Sequence, residues 1–242
     1  SSVDEDFDIS SKPSNLSSFK WSFDRLKIIS KELNNINVVR TKQIYGSWLG
    51  LILARRTNAK FIIRVGYSYA QSKFYENFFG KLIFYPLRAL ELLLIYKADG
   101  VLFGSEYLQK LFKITGTESL VTRNPVPISF AQENETIKKY SFITVGRLID
   151  SKGCNDISFI DRYIENGLII GRNPSLINFE QSRYIDNVSN LELPSYYSQS
   201  TYYLSMSKTE GSPKALLEAI FSGCIPVITD IPAHVDIIKE LG

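Results

Sequence analysis

Residues 204–232, LSMSKTEGSPKALLEAIFSGCIPVITDIP, constrain the fold more than any other stretch of the chain. A short apolar segment passes through Ser205, Ser207 and Thr209 into Glu210-Gly211-Ser212-Pro213. Ser212 suits an N-cap and Pro213 a first helical position, so a helix is expected from this point. Ala215, Leu216, Leu217, Ala219, Ile220 and Phe221 make that helix mostly buried, interrupted by one acid, Glu218. Gly223 ends it, and residues 225–229 read as a buried strand bounded by prolines. The unit is loop–helix–strand, with one carboxylate before the helix and another inside it.

Such a unit favours an anion. A helix N-terminus presents N–H groups without intrahelical acceptors and roughly half a positive charge. A phosphate docks there readily, and Gly211 lets a ligand come close to the backbone. Glu218 sits five residues beyond Pro213, roughly 7.5 Å along the axis, with its side chain leaning back toward the N-terminus. Glu210 and Glu218 would therefore flank whatever the helix tip holds. Carboxylates repel phosphate but accept hydrogen bonds from hydroxyls. A ligand with a diphosphate in its middle and hydroxyls on either side is a nucleotide sugar.

Upstream, residues 36–41 (INVVRT) read as a strand, 47–56 as a helix and 60–65 (KFIIRV) as a second strand. This alternation marks parallel βαβ units. A long helical stretch ends near Tyr96, residues 100–105 form a short strand with a turn, 106–113 a helix and 119–122 a strand. Residues 23–33 carry helical periodicity, and residues 1–20 are polar and serine-rich. Residues 128–139, rich in Gln, Glu, Asn and Lys, read as a linker. The chain thus divides into 1–130 and 131–242. The second part opens with a strand ending at Gly146, followed by Arg147 and Lys152. Two cations beyond a strand's C-terminal edge lie where open α/β sheets collect ligands, and arginine grips phosphate bidentately. Residues 156–163 read as a helix and 167–171 as a strand.

EGSPKALLEAIFSGCIPVITD resembles the signature of the retaining glycosyltransferases of family 4, in which an E-x7-E motif precedes a Gly-x-Pro-Val strand. KADGVLFGSEYLQKLF is similar to that family's Ala-Asp–strand–Ser–helix element, and TRNPVP resembles its interdomain junction in altered form. Gly146-Arg147-Leu148 with Lys152-Gly153 resembles its diphosphate clamp. The resemblance covers most of residues 36–242 and implies an α/β chain of the GT-B type, two Rossmann-like domains facing a cleft. It implies transfer of a sugar from a nucleotide-diphosphate donor to an acceptor hydroxyl with retention, in glycan or cell-surface polysaccharide synthesis. Arg147 and Lys152 would neutralise the departing diphosphate, and Glu210 would position the transferred sugar. Gly146, Gly211, Ser212, Pro213 and Lys214 would hold the donor, and Glu218 its ribose. The resemblance implies no metal or cofactor, because the protein supplies the cations that stabilise the leaving diphosphate, and no dedicated nucleophile, because that diphosphate itself assists proton transfer. The family's opening strand and glycine-rich loop find no counterpart, so an incomplete or reduced N-terminal domain is expected; relatives continue with more helices beyond the position of residue 242, so the resemblance implies a chain shortened at both ends. Where the family often places a histidine after the second strand, this chain has Gly66 and Tyr67. A sugar-nucleotide-binding protein without turnover, or one dependent on a partner, is the alternative.

A net charge of +3 is too mild for nucleic-acid binding. Two cysteines and one histidine form neither a disulfide framework nor a zinc set. No signal peptide is visible, so a cytoplasmic protein is expected. Residues 78–98, FFGKLIFYPLRALELLLIYKA, are strongly apolar, but Pro86 and four charges make a membrane-spanning helix a poor reading. A helix packed on the sheet and an interfacial helix lying on the inner face of a membrane both remain open.

Overall fold

The computed structural model of the chain describes residues 36–76, 78–113, 116–131, 136–173 and 176–241. The elements expected at residues 1–20 and 23–33 lie outside them. In the first half, strands β1 (Val38–Thr41), β2 (Lys60–Val65), β3 (Gly100–Phe103) and β4 (Glu118–Val121) pair side by side in chain order, all parallel. Helix α1 (Ser47–Thr57) joins β1 to β2. Three helices lie between β2 and β3: α2 (Tyr69–Glu76), α3 (Phe78–Leu82) and α4 (Phe84–Tyr96). Helix α5 (Glu106–Phe112) leads to β4. Parallel neighbours require such crossovers, because each strand must start again at the same end of the sheet. In β2 the period of two is plain: Phe61, Ile63 and Val65 are buried and join Val101, Phe103 and Leu108 in one core.

The second sheet holds β5 (Tyr140–Val145), β6 (Leu168–Ile170), β7 (Arg183–Ile185), β8 (Ser200–Ser205) and β9 (Ile225–Ile228), in the order β7-β6-β5-β8-β9. All its pairings are parallel. Helices α6 (Cys154–Asp161), α7 (Leu193–Ser198) and α8 (Lys214–Phe221) connect them, and α9 (Pro232–Leu241) follows β9. Every residue of β6 is buried, as expected of an inner strand covered on both faces. From β5 the chain moves outward to β6 and β7, then returns to place β8 on the other side of β5. The strand order therefore reverses between β5 and β8, and ligands of open α/β sheets bind beyond the strand ends at such a point.

The structure departs from the sequence reading in four places. Residues 78–98 form two helices, α3 and α4, instead of one. The strand after Gly223 is an edge strand with alternating exposure, not a buried one; its Pro226 suits that position, since an edge leaves one row of N–H groups unpaired. Strand β7 and helix α9 were not foreseen. Helix α9 buries Ala233, His234 and Ile237 and reaches back to the first half. There the Tyr107 N–H donates to Asp236 at 3.2 Å, and Arg123 pairs with Glu240 at 2.5 Å. Lastly, α8 begins at Lys214 with Pro213 as N-cap, and Ser212 does not cap it. The Ser212 hydroxyl is taken by the other half of the molecule instead.

Candidate functional site

The C-terminal ends of both sheets face one another, and every candidate residue leaves one of those ends. Gln43 follows β1, Gly66 and Tyr67 follow β2, Ser105 follows β3, and Asn124 lies just beyond β4. Opposite them, Gly146 and Arg147 follow β5, and residues 207–214 follow β8. Gly146 adopts a φ of +149°, which favours glycine, and its N–H donates to Ile170 O at 2.9 Å. Lys152 closes a 3₁₀ turn (Asp150–Lys152), and Ser151 O accepts from the Lys208 N–H at 2.9 Å. The loops after β5 and β8 are thereby tied together.

Residues of the two halves meet directly at Gly211. A Cβ there would stand 2.2 Å from Gly66 O and 2.5 Å from the Tyr67 Cα, so only glycine fits. Ser105 both caps α5, accepting from the Leu108 N–H, and donates its hydroxyl to Gly211 O at 2.6 Å. Asn124 bridges the next residue. Its amide nitrogen donates to Ser212 O and Ser212 Oγ, each at 3.1 Å, while its oxygen accepts from Arg64 at 2.6 Å. These bonds account for the missing cap at α8.

Two cavities flank this seam. One, of about 200 Å³, is walled by Gly146, Arg147, Lys152, Glu210, Ser212, Pro213 and Lys214 on the second half, with Tyr203 behind them. The other, of about 220 Å³, lies between the halves and adds Gln43, Arg64, Tyr67, Asn124 and Gly211. Arg147, Lys152, Glu210 and Ser212 line both. Each cavity is smaller than a typical ligand pocket, so an extended ligand would occupy both.

Charge in the two cavities is unbalanced toward the positive. Arg64, Arg147, Lys152 and Lys214 line them, against one carboxylate, Glu210. Glu210 pairs with Lys152 and accepts from the Ser207 hydroxyl at 2.9 Å. Lys214 pairs with Glu218 at 2.6 Å. Among the described residues Arg147 and Arg64 have no ion-pair partner. The first-turn N–H groups of α8 add donors at the same place. Burial raises the Tyr67 phenol above its ordinary pKa, opposed by the neighbouring Arg147 charge, so Tyr67 remains a neutral hydrogen-bond donor.

Of the residues singled out in the sequence, Gly146, Arg147, Lys152, Glu210, Ser212, Pro213 and Lys214 share one wall, and Gly211 forms the seam beside it. Glu218 is the exception. It is buried, lines neither cavity, and reaches the space only through Lys214. Its place in the second turn, under the long Lys214 side chain, explains why. The sequence reading did not single out Gln43 or the support behind Glu210, and it marked Ser105 only as the serine of the resembled strand–Ser–helix element. That support runs from His234 Nδ1, 2.8 Å from Thr229 O, through the Thr229 hydroxyl, which donates to Ser207 O at 2.6 Å, to the Ser207 bond on Glu210. Among the described residues no group of three or more His, Cys, Asp or Glu side chains could hold a metal ion.

No protein-family model and no curated protein sequence matches the chain. Solved structures do. Sucrose-phosphate synthase from Thermosynechococcus elongatus superposes with a TM-score of 0.70 at 14% identity, over 88% of this chain and 61% of that one. Anabaena HepE in complex with UDP-glucose gives 0.69 at 11% identity, over 87% and 64%. The pneumococcal O-GlcNAc transferase GtfA, in complex with UDP and GlcNAc, gives 0.60 at 18% identity, over 86% and 45%. The chain thus spans about half to two thirds of the length of these structures. It has their fold, GT-B: two Rossmann-like halves facing a cleft.

Proposed function

We propose that the chain is a glycosyltransferase that moves a sugar from a nucleoside diphosphate sugar to an acceptor hydroxyl, with retention at the anomeric carbon. The observation that carries this reading is that Arg147, Lys152, Lys214 and the α8 tip line one cavity, with Glu210 as its single carboxylate, at the strand-order reversal of the second sheet. The cations and amides suit the diphosphate, and Glu210 suits the hydroxyls of the sugar. The UDP and UDP-glucose carried by HepE and the UDP carried by GtfA support the same ligand class.

In this reading the donor diphosphate displaces Lys152 from Glu210, and Arg147 takes up phosphate oxygens bidentately. The bond from the anomeric carbon to the phosphate oxygen breaks as the acceptor oxygen bonds to that carbon. The acceptor proton passes to the departing phosphate oxygen. Charge growing on that oxygen meets preorganised donors, the kind of stabilisation that dominates in water-poor sites. Glu218, held by Lys214, is assigned to the ribose once the ligand draws Lys214 away. The cavity between the halves receives the acceptor, with Gly66 and Tyr67 where relatives of the resembled family often place a histidine and Arg64 beside them on β2. Synthesis of a glycan or cell-surface polysaccharide is the setting we assign, in the cytoplasm and without a metal.

The test is a thermal-shift series with UDP-, GDP- and ADP-sugars, followed by transfer assays on wild type and Glu210→Ala. A ligand at a hundredfold excess over its Kd stabilises by about 2.7 kcal/mol. One nucleotide class should raise the melting temperature, and Glu210→Ala should abolish transfer. Binding without turnover toward any acceptor would favour a sugar-nucleotide-binding protein; no shift across the series would exclude both.

A further inference from the structure

The outer face of α3 and α4 belongs to neither cavity. Phe78, Phe79, Leu82, Tyr85, Leu93 and Tyr96 are between 54% and 79% exposed there. Single exposed apolar residues are ordinary, but six within nineteen residues on two consecutive helices concentrate exposed apolar surface in one segment, and such concentrations mark binding faces. On α4 the exposed Tyr85, Leu92, Leu93 and Tyr96 recur at helical spacing, while Glu91, Leu94 and Ile95 on the opposite side are buried. The outward side of this helix is therefore apolar without any packing demand from the core.

Charge decides what covers it. Between residues 78 and 97 the one acid is Glu91, and it faces inward: it accepts from the Tyr69 and Ala70 N–H groups and the Ser68 hydroxyl, and pairs with Arg88 at 3.2 Å. Lys81 and Lys97 are exposed near the two ends of the apolar band, each within 6 Å of an aromatic ring centre (Phe74 and Tyr96). Arg55 donates to Lys97 O at 3.2 Å and adds a third cation at that end. The acids that flank the segment are both paired, Glu76 with Lys73 at 2.5 Å and Asp99 with Lys60 at 3.7 Å. A band of aromatic and aliphatic side chains rimmed by cations, with no exposed acid in it, matches the boundary of an anionic bilayer. A second copy of the chain fits less well, because self-pairing of this face sets Lys81 and Lys97 against like charges. Among the described residues no helix is long and apolar enough to cross a membrane, so the contact would be peripheral.

We propose that the α3–α4 face docks on an anionic bilayer. The cavity between the halves lies behind α4 as seen from that face, because Glu91, on the buried side of the helix, holds Ser68, which lines the cavity; docking would therefore hold the cleft within a helix's width of the lipid. An acceptor hydroxyl carried on a lipid would then arrive from that side. This last step rests on the transfer reading; the docking does not.

Flotation of the full chain with phosphatidylcholine vesicles, with and without phosphatidylglycerol, tests it. Wild type should float with the phosphatidylglycerol-containing vesicles, stay behind with phosphatidylcholine alone, and release at high salt. Phe78→Ser/Phe79→Ser should reduce binding at least tenfold. Lys81→Glu/Lys97→Glu should reduce it about thirtyfold or more, the contribution of two cations near an anionic surface. Both variants alter exposed positions, and circular dichroism with a melting curve verifies their folding. No flotation of wild type overturns the proposal, as does binding that neither variant changes. A concentration-dependent dimer that Phe78→Ser/Phe79→Ser abolishes also overturns it, in favour of self-association. The thermal-shift series with UDP-, GDP- and ADP-sugars, measured in parallel, separates the two ideas: a shift without flotation removes the docking alone, and flotation without a shift across the whole series removes the transfer reading alone.

Discussion

Replacing Glu210 by glutamine should make the nucleoside diphosphate selected by the thermal-shift series, taken here as UDP, bind more tightly while transfer falls. Without ligand, Lys152 is engaged by Glu210, so an entering diphosphate must break that ion pair and approach a carboxylate. The side chains of Lys152 and Glu210 are 29% and 16% exposed. Fully exposed pairs contribute about 0–1 kcal/mol, and disrupting buried ones costs about 3–5 kcal/mol. A pair of intermediate burial, discounted for solvent screening, lies near 1–2 kcal/mol. At about 1.4 kcal/mol per tenfold this is roughly a five- to thirtyfold lower Kd for UDP. Glutamine keeps an acceptor for the Ser207 hydroxyl, so the loop geometry is retained. The sugar, by contrast, loses charge-assisted hydrogen bonds at about 1.5–3 kcal/mol, so transfer should fall about ten- to a hundredfold. Isothermal titration of UDP into wild type and Glu210→Gln at two salt concentrations measures the first effect, and the gain should shrink as salt rises. A Kd that is unchanged or higher in the folded variant would refute the ion pair as the barrier to diphosphate entry.

Gly211→Ala should lower stability by about 1–3 kcal/mol, because the added carbon meets the Gly66 and Tyr67 backbone; an unaltered calorimetric melt would deny that the seam is tight. Glu91→Ala should cost about 3–5 kcal/mol in urea unfolding, since it strips the α2 N-terminus of its acceptor and leaves Arg88 without a counter-charge in a mostly buried site. Glu91→Gln should cost less, and equal losses would show that the carboxylate charge is immaterial. His234, the chain's single histidine, is buried with Nδ1 against Thr229 O, and burial holds its pKa below the usual value. The unfolded chain therefore takes up the proton first as pH falls through about 6.5, so this contribution is complete above that value and declines on acidification toward the folded pKa. Urea midpoints should fall between about pH 7.5 and 5.5 in wild type and change less in His234→Asn; parallel curves would exclude the histidine as the titrating group.

What the sequence disclosed depended on how local the cause was. Strand β2 was legible to the residue, because its alternation and its flanking helices are set by neighbours in the chain. The cavity-lining residues after β5 and β8 were legible because glycine, cations and a proline-led helix keep their meaning without tertiary context. The N-cap was misread for the opposite reason. Ser212 satisfies every local rule, but Asn124, 88 residues away, claims its hydroxyl. Burial of the strand after Gly223 could not be inferred, since an apolar run looks the same at the edge of a sheet as in its middle. Glu218 sat at the right spacing, yet its partner proved to be Lys214, four residues earlier on the same helix face. Helix α9 was findable from Ala233, His234 and Ile237 at helical spacing behind Pro232; its contact with α5 was not.

Gly211 and Ser212 carry a structural duty apart from chemistry, since their carbonyls are two of the points at which the first half holds the second, beside the contacts of α9. Parting the two sheets would release the very backbone that forms the approach to α8. Cleft opening and slackening of the anion seat are consequently one mechanical event, so loading from the first half's side cannot leave the second half's grip untouched.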